Sequence, residues 1–301
     1  MSMYRKLLST FVAVGLAACS PANSPPAAAP APREAHPALW KLSDADTTIW
    51  LFGTIHVLPA GYKWRHTTID KAVAESDGLV IEAILDRKEP AKAFALLNKL
   101  GVSPGLPPLV ERVPQDKRAA LTALMEKSTL PKPFLDSLET WAGGLMLMPV
   151  LLGDLGLKGG KGVEEVLEED FKAAGKPIEG LETAELQLRV LDGMSEDAQR
   201  QFLVAMVDDK DEKLDFNKML AAWARGDEKA ISKSFDKDIR ISPELREALL
   251  VQRNARWADW LQARLNKPGT IFVAVGAGHL AGEESVLRML KAKGLKVERV
   301  E

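Results

Sequence analysis

Cysteine occurs once in the 301 residues, at position 19. No intramolecular disulfide can form, and no Cys-x-x-Cys metal or redox site exists. Tyrosine occurs only at Tyr4 and Tyr62, and histidine only at His36, His56, His66 and His279, so imidazole chemistry must draw on those positions. Neither sign of charge dominates: 40 Lys and Arg against 42 Asp and Glu give a formal net charge of -2. That balance argues against a general nucleic-acid binder, whose surface is usually basic. The chain also lacks a Walker Gly-Lys-Ser, a Gly-x-Ser-x-Gly elbow and a His-Glu-x-x-His helix. Nucleotide binding, serine-nucleophile catalysis and a zincin-type site are therefore unsupported. After the N-terminus no apolar run reaches spanning length; Leu145 to Leu152 is brief and ends at Gly153-Asp154. What remains is an ordinary globular composition on a chain long enough to bury a sizeable core.

The first residues read as a processed leader. Arg5 and Lys6 precede an apolar run from Leu7 to Ala18, too short to span a bilayer and suited to a signal-peptide core. It ends in Leu16-Ala17-Ala18-Cys19, which resembles the lipobox of bacterial lipoproteins, with Cys19 the lipidated first residue of the mature chain. The alternative is ordinary signal cleavage beside an incidental cysteine. Ser20 after the cysteine is similar to the outer-membrane sorting pattern, so the expected location is the bacterial envelope, lipid-anchored and facing the periplasm. Residues 20–38 are Pro- and Ala-rich and are expected to be a tether, with His36 solvated. The domain expected to fold is 39–301.

Within that domain, Trp40, Thr47–Phe52, Gly78–Ile84, Pro177–Glu182, Gly269–Val275 and Leu295–Val300 read as strands. Helices are expected over 65–76, 90–99, 114–127, 137–148, 162–174, 183–191, 195–207, 211–225 and 227–237. Two more are expected from Ser242-Pro243 to about Asn266 and over 281–293. The fold class is α/β: a small mixed central sheet with a large helical insertion.

The most informative pattern is a repeat. Ile49-Trp-Leu-Phe-Gly53-Thr-Ile-His56 and Phe272-Val-Ala-Val-Gly276-Ala-Gly-His279 each place an apolar strand before Gly-x-x-His. Ligands in open α/β sheets sit at the carboxyl ends of strands. Glycine there permits a sharp turn, and a histidine three residues on can reach back over the sheet edge. If the strands are neighbours, His56 and His279 converge.

These motifs, Leu51-Phe-Gly-Thr-Ile-His-Val-Leu58 and Val275-Gly-Ala-Gly-His-Leu-Ala-Gly282, resemble the paired motifs of the TraB/PrgY/GumN family, whose animal relatives are the Tiki metalloproteases. Between them, Leu79-Val-Ile-Glu82, Gly175-Lys-Pro-Ile-Glu-Gly-Leu-Glu-Thr183 with Gln187, and Arg253-Asn254 are similar to family positions in the family's order. The likeness spans about residues 40–301. Where many members have Gly-x-Asp, this chain reads Gly162-Val163-Glu164, and no role is assigned to Glu164. The resemblance implies a fold shared with erythromycin esterase-like and haem-binding ChaN-like proteins. It also implies a metal-dependent hydrolase site built from His56, His279 and nearby glutamates.

Other residues are weighed by position. Glu82 interrupts an apolar strand on the face of Val80, so it must be paired, metal-bound, protonated or within reach of water. Glu182 ends a strand, with Thr183 placed to cap the next helix. Arg253 lies on an apolar stripe with Leu250, Trp257 and Leu261, where a guanidinium needs a carboxylate or an oxyanion. Asn254 is one residue off that stripe, and His66 is read as a surface residue. The expected metal is Zn, Mn or Co, held by His56 and His279, with Glu82, Glu182 and Arg253 as catalytic groups on a peptide or small-molecule substrate. A metal-free hydrolase with a histidine base is the enzymatic alternative. A peptide- or haem-binding lipoprotein, using Tyr62 or a histidine for haem, is the non-catalytic one.

Overall fold

The computed structural model describes residues 33–84, 90–154, 156–157, 161–207, 212–239 and 242–301. The leader and the Cys19 motif lie outside the described residues. Among the described residues there are eight strands: β1 (Arg33–Glu34), β2 (Leu39–Ser43), β3 (Thr47–Thr54), β4 (Tyr62–Lys63), β5 (Gly78–Ala83), β6 (Ile178–Glu182), β7 (Gly269–Gly276) and β8 (Val297–Arg299). Six of them form a mixed sheet in the order β6-β5-β7-β3-β2-β8. The four from β6 to β3 run parallel, and β2 is antiparallel to both β3 and β8. This is the expected mixed α/β class.

Alternation along the strands explains the layers. Trp50, Phe52, Leu79, Ile81 and Phe272 face one side, under the helices Thr67–Glu75, Val163–Ala173 and Glu212–Ala224. Ile49, Leu51, Val80, Val273 and Val275 face the other, under the helices Gln252–Arg264 and Val286–Ala292. Both faces are covered, so the central strands read as continuous apolar runs. A further apolar cluster is almost wholly helical and draws on the Thr140–Asp154, Ala184–Asp192 and Glu196–Ala205 helices. It is the helical insertion, and the Leu145–Met148 run packs there, with Leu147 and Met148 buried.

Some boundaries differ from expectation. Arg33–Ala38 were assigned to the tether, yet they pack on the body. Strand β1 pairs with β4, His36 N–H donates to Ala224 O at 2.7 Å, and Ala35 and Ala38 are buried. The helix expected over 137–148 starts at Thr140 and runs on through Pro149 to Asp154, and a separate helix, Lys132–Ser137, precedes it and ends at an extended Leu138, which bridges Val102. The helix expected from Ala281 starts only after Ser285, whose hydroxyl accepts from Arg288 N–H. The helix after Ser242-Pro243 contains a π turn, Glu247–Val251, just before Arg253.

Candidate active site

Parallel pairing puts four strand ends on one edge. Register aligns Thr54 with Gly276, Ile81 with Ala274, and Ala83 with Glu182. Residues following β3 and β7 therefore emerge beside the ends of β5 and β6, which is why His56, His279, Glu82 and Glu182 gather there. Gly53 serves close approach rather than an unusual dihedral. Neither Gly53 nor Gly276 takes a positive φ, and a Cβ on Gly53 would lie 3.1 Å from the Ala277 Cα.

The two histidines converge on one carboxylate oxygen. His56 Nε2 and His279 Nε2 each lie 3.7 Å from Glu82 Oε1, which also accepts from Gly276 N–H at 2.7 Å. Both Nδ1 atoms face oxygen acceptors: His56 Nδ1 is 2.5 Å from Glu164 Oε1, and His279 Nδ1 is 2.6 Å from Asn254 Oδ1. An oxygen acceptor at Nδ1 sets the tautomer that carries the proton there, turning the Nε2 lone pair inward. The Thr54 hydroxyl also donates to Glu164 Oε1. The helix Val163–Ala173 can deliver Glu164 only because Gly162 touches the chain at His56; a Cβ there would lie 2.2 Å from the His56 carbonyl oxygen.

Strand alternation turns Glu82 toward the Gln252–Arg264 helix, and Arg253 meets it. Arg253 is fully buried. Its Nη2 donates to Glu82 Oε2 at 2.7 Å and its Nε to Glu182 Oε2 at 2.9 Å. Its Nη1 donates to Leu249 O and lies 3.2 Å from His279 Nε2. Trp257 lies beneath both, its ring centroid 4.6 Å from the guanidinium and 4.4 Å from the His279 ring. Glu182 further accepts from Arg256, and from Gln187 at 3.4 Å.

Charge and burial pull the two imidazoles apart. Burial alone would lower His56, but the Glu164 charge and hydrogen bond, with the Glu82 charge, outweigh it and hold the pKa above its ordinary value. Burial would raise Glu164; the His56 charge and hydrogen bond, with the Thr54 bond, hold it low instead. His279 is pushed well below its ordinary value by burial and then by the charges of Arg253 and His56. One imidazole therefore favours its proton while the other stays neutral, a division suited to acid–base work.

All five residues singled out for chemistry, His56, His279, Glu82, Glu182 and Arg253, meet in this cluster. Glu164, Asn254, Thr54 and Arg256 join it unassigned. Glu164 had a signal in the sequence, since it stands where the resemblance has aspartate, and a carboxylate one methylene longer still reaches His56. Asn254 was set aside by regular helical spacing, yet consecutive Arg253 and Asn254 grip opposite nitrogens of one imidazole. His66 is elsewhere, beside His36 and Glu301. Tyr62, the haem-ligand candidate, accepts from Arg33 Nη1 at 3.3 Å and lies under that guanidinium.

For a divalent ion the donor set is chemically apt. His56 Nε2 and Glu164 Oε2 are buried without a hydrogen-bond partner, and Glu82 Oε1 lies within 3.7 Å of both Nε2 atoms. Opposing this, the Arg253 guanidinium already faces His279 Nε2.

An α/β sheet with paired strand–Gly-x-x-His junctions and carboxylates at one edge defines the class. The profile of the TraB/PrgY/gumN family matches residues 38–299, and the chain belongs to that family. It is 26% identical over 250 residues to the uncharacterized protein YbaP of Escherichia coli K12, covering 80% of this chain and 87% of that protein. The YbaP of Shigella flexneri matches with the same identity and coverage. No solved structure matches.

Proposed function

We propose that the chain is an envelope-facing hydrolase of amide bonds, peptidase- or amidase-like, working at the His56–Glu82–His279 cluster. The observation that carries this reading is the pair of locked imidazoles, each Nδ1 against an oxygen acceptor and each Nε2 3.7 Å from the same Glu82 oxygen. A divalent ion (Zn, Mn or Co) would be held by His56 Nε2, His279 Nε2 and Glu82, with Glu164 adjoining. Bound there, it would supply Lewis acidity and a water of lowered pKa. Glu164 and Asn254 hold the imidazoles in place, as carboxylates and amides do behind metal-binding histidines. Arg253 is a positioning residue in this reading, because it has no exposed surface and ties Glu82, Glu182 and His279 together.

A second reading keeps hydrolysis and dispenses with the ion, favoured by the guanidinium 3.2 Å from His279 Nε2. His56 then takes the proton of an attacking water, while Glu164 orients the ring and stabilises the imidazolium. The test is cleavage of a peptide library by the purified chain, before and after chelation, with metal content measured on the same samples. Cleavage lost on chelation and restored by Mn, Zn or Co supports the first reading; full activity in metal-free protein supports the second. Peptide binding without cleavage overturns both in favour of sequestration.

The envelope location rests on the leader sequence and Cys19. Cys19→Ser should move the protein from the membrane fraction to the soluble fraction; an unchanged distribution would overturn the lipid anchor.

A further inference from the structure

We infer that His36, His66 and Glu301 form a second divalent-metal site, separate from the candidate active site, that clips the segment preceding β2 onto the end of β8. Each offers one ligand atom, and these atoms lie within 4.8 Å of one another. Glu301 Oε1 is 3.2 Å from His36 Nδ1 and 3.6 Å from His66 Nε2. Donors on a tetrahedral zinc, with bonds of about 2.0–2.2 Å, stand roughly 3.3–3.5 Å apart. The three side chains are thus spaced close to a metal shell before any ion arrives.

An independent observation points to a ligand. His66 Nε2 is shielded from solvent and makes no hydrogen bond, although it faces the Glu301 carboxylate. His66 occupies the N-cap position of the Thr67–Glu75 helix, but its side chain does not cap it. The ring is turned instead toward His36, with centroids 5.2 Å apart. A buried imidazole nitrogen left unmatched is costly, and a metal ion would satisfy it.

The backbone holds all three residues without help from the ion. His36 N–H donates to Ala224 O, the chain at Glu301 donates to Leu39 O, and Asp70 N–H donates to His66 O. The site therefore joins three segments far apart in sequence. Two imidazoles and a carboxylate suit zinc, nickel or copper rather than the oxygen-seeking calcium or magnesium. With His36 exposed, a remaining coordination position is open to water.

Equilibrium titration of the full chain with Co2+, followed by visible absorption and metal content, tests the inference. The wild-type chain should bind one equivalent that is lost in His36→Ala/His66→Ala, and Glu301→Gln should weaken it. Zn2+ should displace it and Mg2+ should not. The same equivalents in the double variant as in wild type would overturn the site. A second equivalent that survives in the double variant but is lost in His56→Ala belongs to the candidate active site, so the two failures are distinguishable. Glu301→Gln also separates metal ligation from folding, because it keeps side-chain size; unchanged Co2+ affinity there would remove the carboxylate from the shell.

Discussion

His56 Nδ1 stands 2.5 Å from Glu164 Oε1, joining the loop after β3 to the first turn of the Val163–Ala173 helix. Both groups are almost wholly enclosed, with side chains 15% and 12% exposed. In that setting the carboxylate sets both the position and the charge of the imidazole. Glu164→Gln keeps the shape and an acceptor oxygen but removes the charge. The His56 pKa should then fall below its wild-type value, read by NMR titration of the ring, with a stability loss of about 1–3 kcal/mol. A His56 titration unchanged by the substitution would remove Glu164 from the site.

The opposite shifts of His56 and His279 make opposite contributions to stability against pH. His56 is raised above its ordinary value of 6.5. Its contribution is fully present below that unfolded value and is lost as pH rises through the higher folded one. His279 is lowered from the same 6.5, so its contribution is full above that value and is lost as pH falls toward the depressed folded one. Thermal midpoints measured between about pH 5 and 8 should therefore lose their alkaline decline in His56→Gln and part of their acid decline in His279→Gln. Parallel curves for all three proteins would contradict the assignment.

Much of this arrangement was legible in the sequence because it depends on strands. A buried parallel strand announces itself as a continuous apolar run. Its end is marked by Gly53 or Gly276, and alternation alone puts Glu82 opposite Ile81. Helical contributions were harder to read. Asn254 looked the weaker candidate because the buried face of its helix is wider than the Arg253–Trp257–Leu261 stripe, taking in Asn254 and Ala258 as well, and because spacing does not show an imidazole between neighbouring residues. Arg33–Ala38 looked like a tether because composition registers the lack of large apolar side chains, not the backbone hydrogen bonds that dock the segment. The His36–His66–Glu301 cluster left no trace, since nothing local links residues so far apart.

Arg253 is held by two buried carboxylates, and its removal should be among the most damaging single changes in the domain. Arg253→Leu leaves Glu82 and Glu182 enclosed, with Arg256, itself half-exposed, as the charge still on Glu182 and Gln187 as a neutral donor. Breaking a buried ion pair this way costs about 3–5 kcal/mol, to be read from urea denaturation. Arg253→Lys should recover only part of the loss, because an ammonium cannot serve Glu82, Glu182 and the Leu249 carbonyl in one plane. Full recovery by lysine would show that only charge matters here.

Gly162 gives a test that touches no ionisable group. Its Cα faces the His56 backbone so closely that a methyl group would stand 2.2 Å from the carbonyl oxygen and 2.8 Å from the carbonyl carbon. Neither atom is the end of a flexible side chain, so Gly162→Ala must push the helix start away from the loop. Val163 N–H donates to Ile55 O at 3.0 Å, and that bond should lengthen with it. Glu164 follows directly, so the shift carries its carboxylate away from His56. Overpacking of this kind costs about 1–3 kcal/mol. The His56 pKa should also fall, although no charge has changed. Loss of stability with an unaltered His56 titration would mean that the carboxylate follows the ring by side-chain rotation, and that its position is not fixed by the helix.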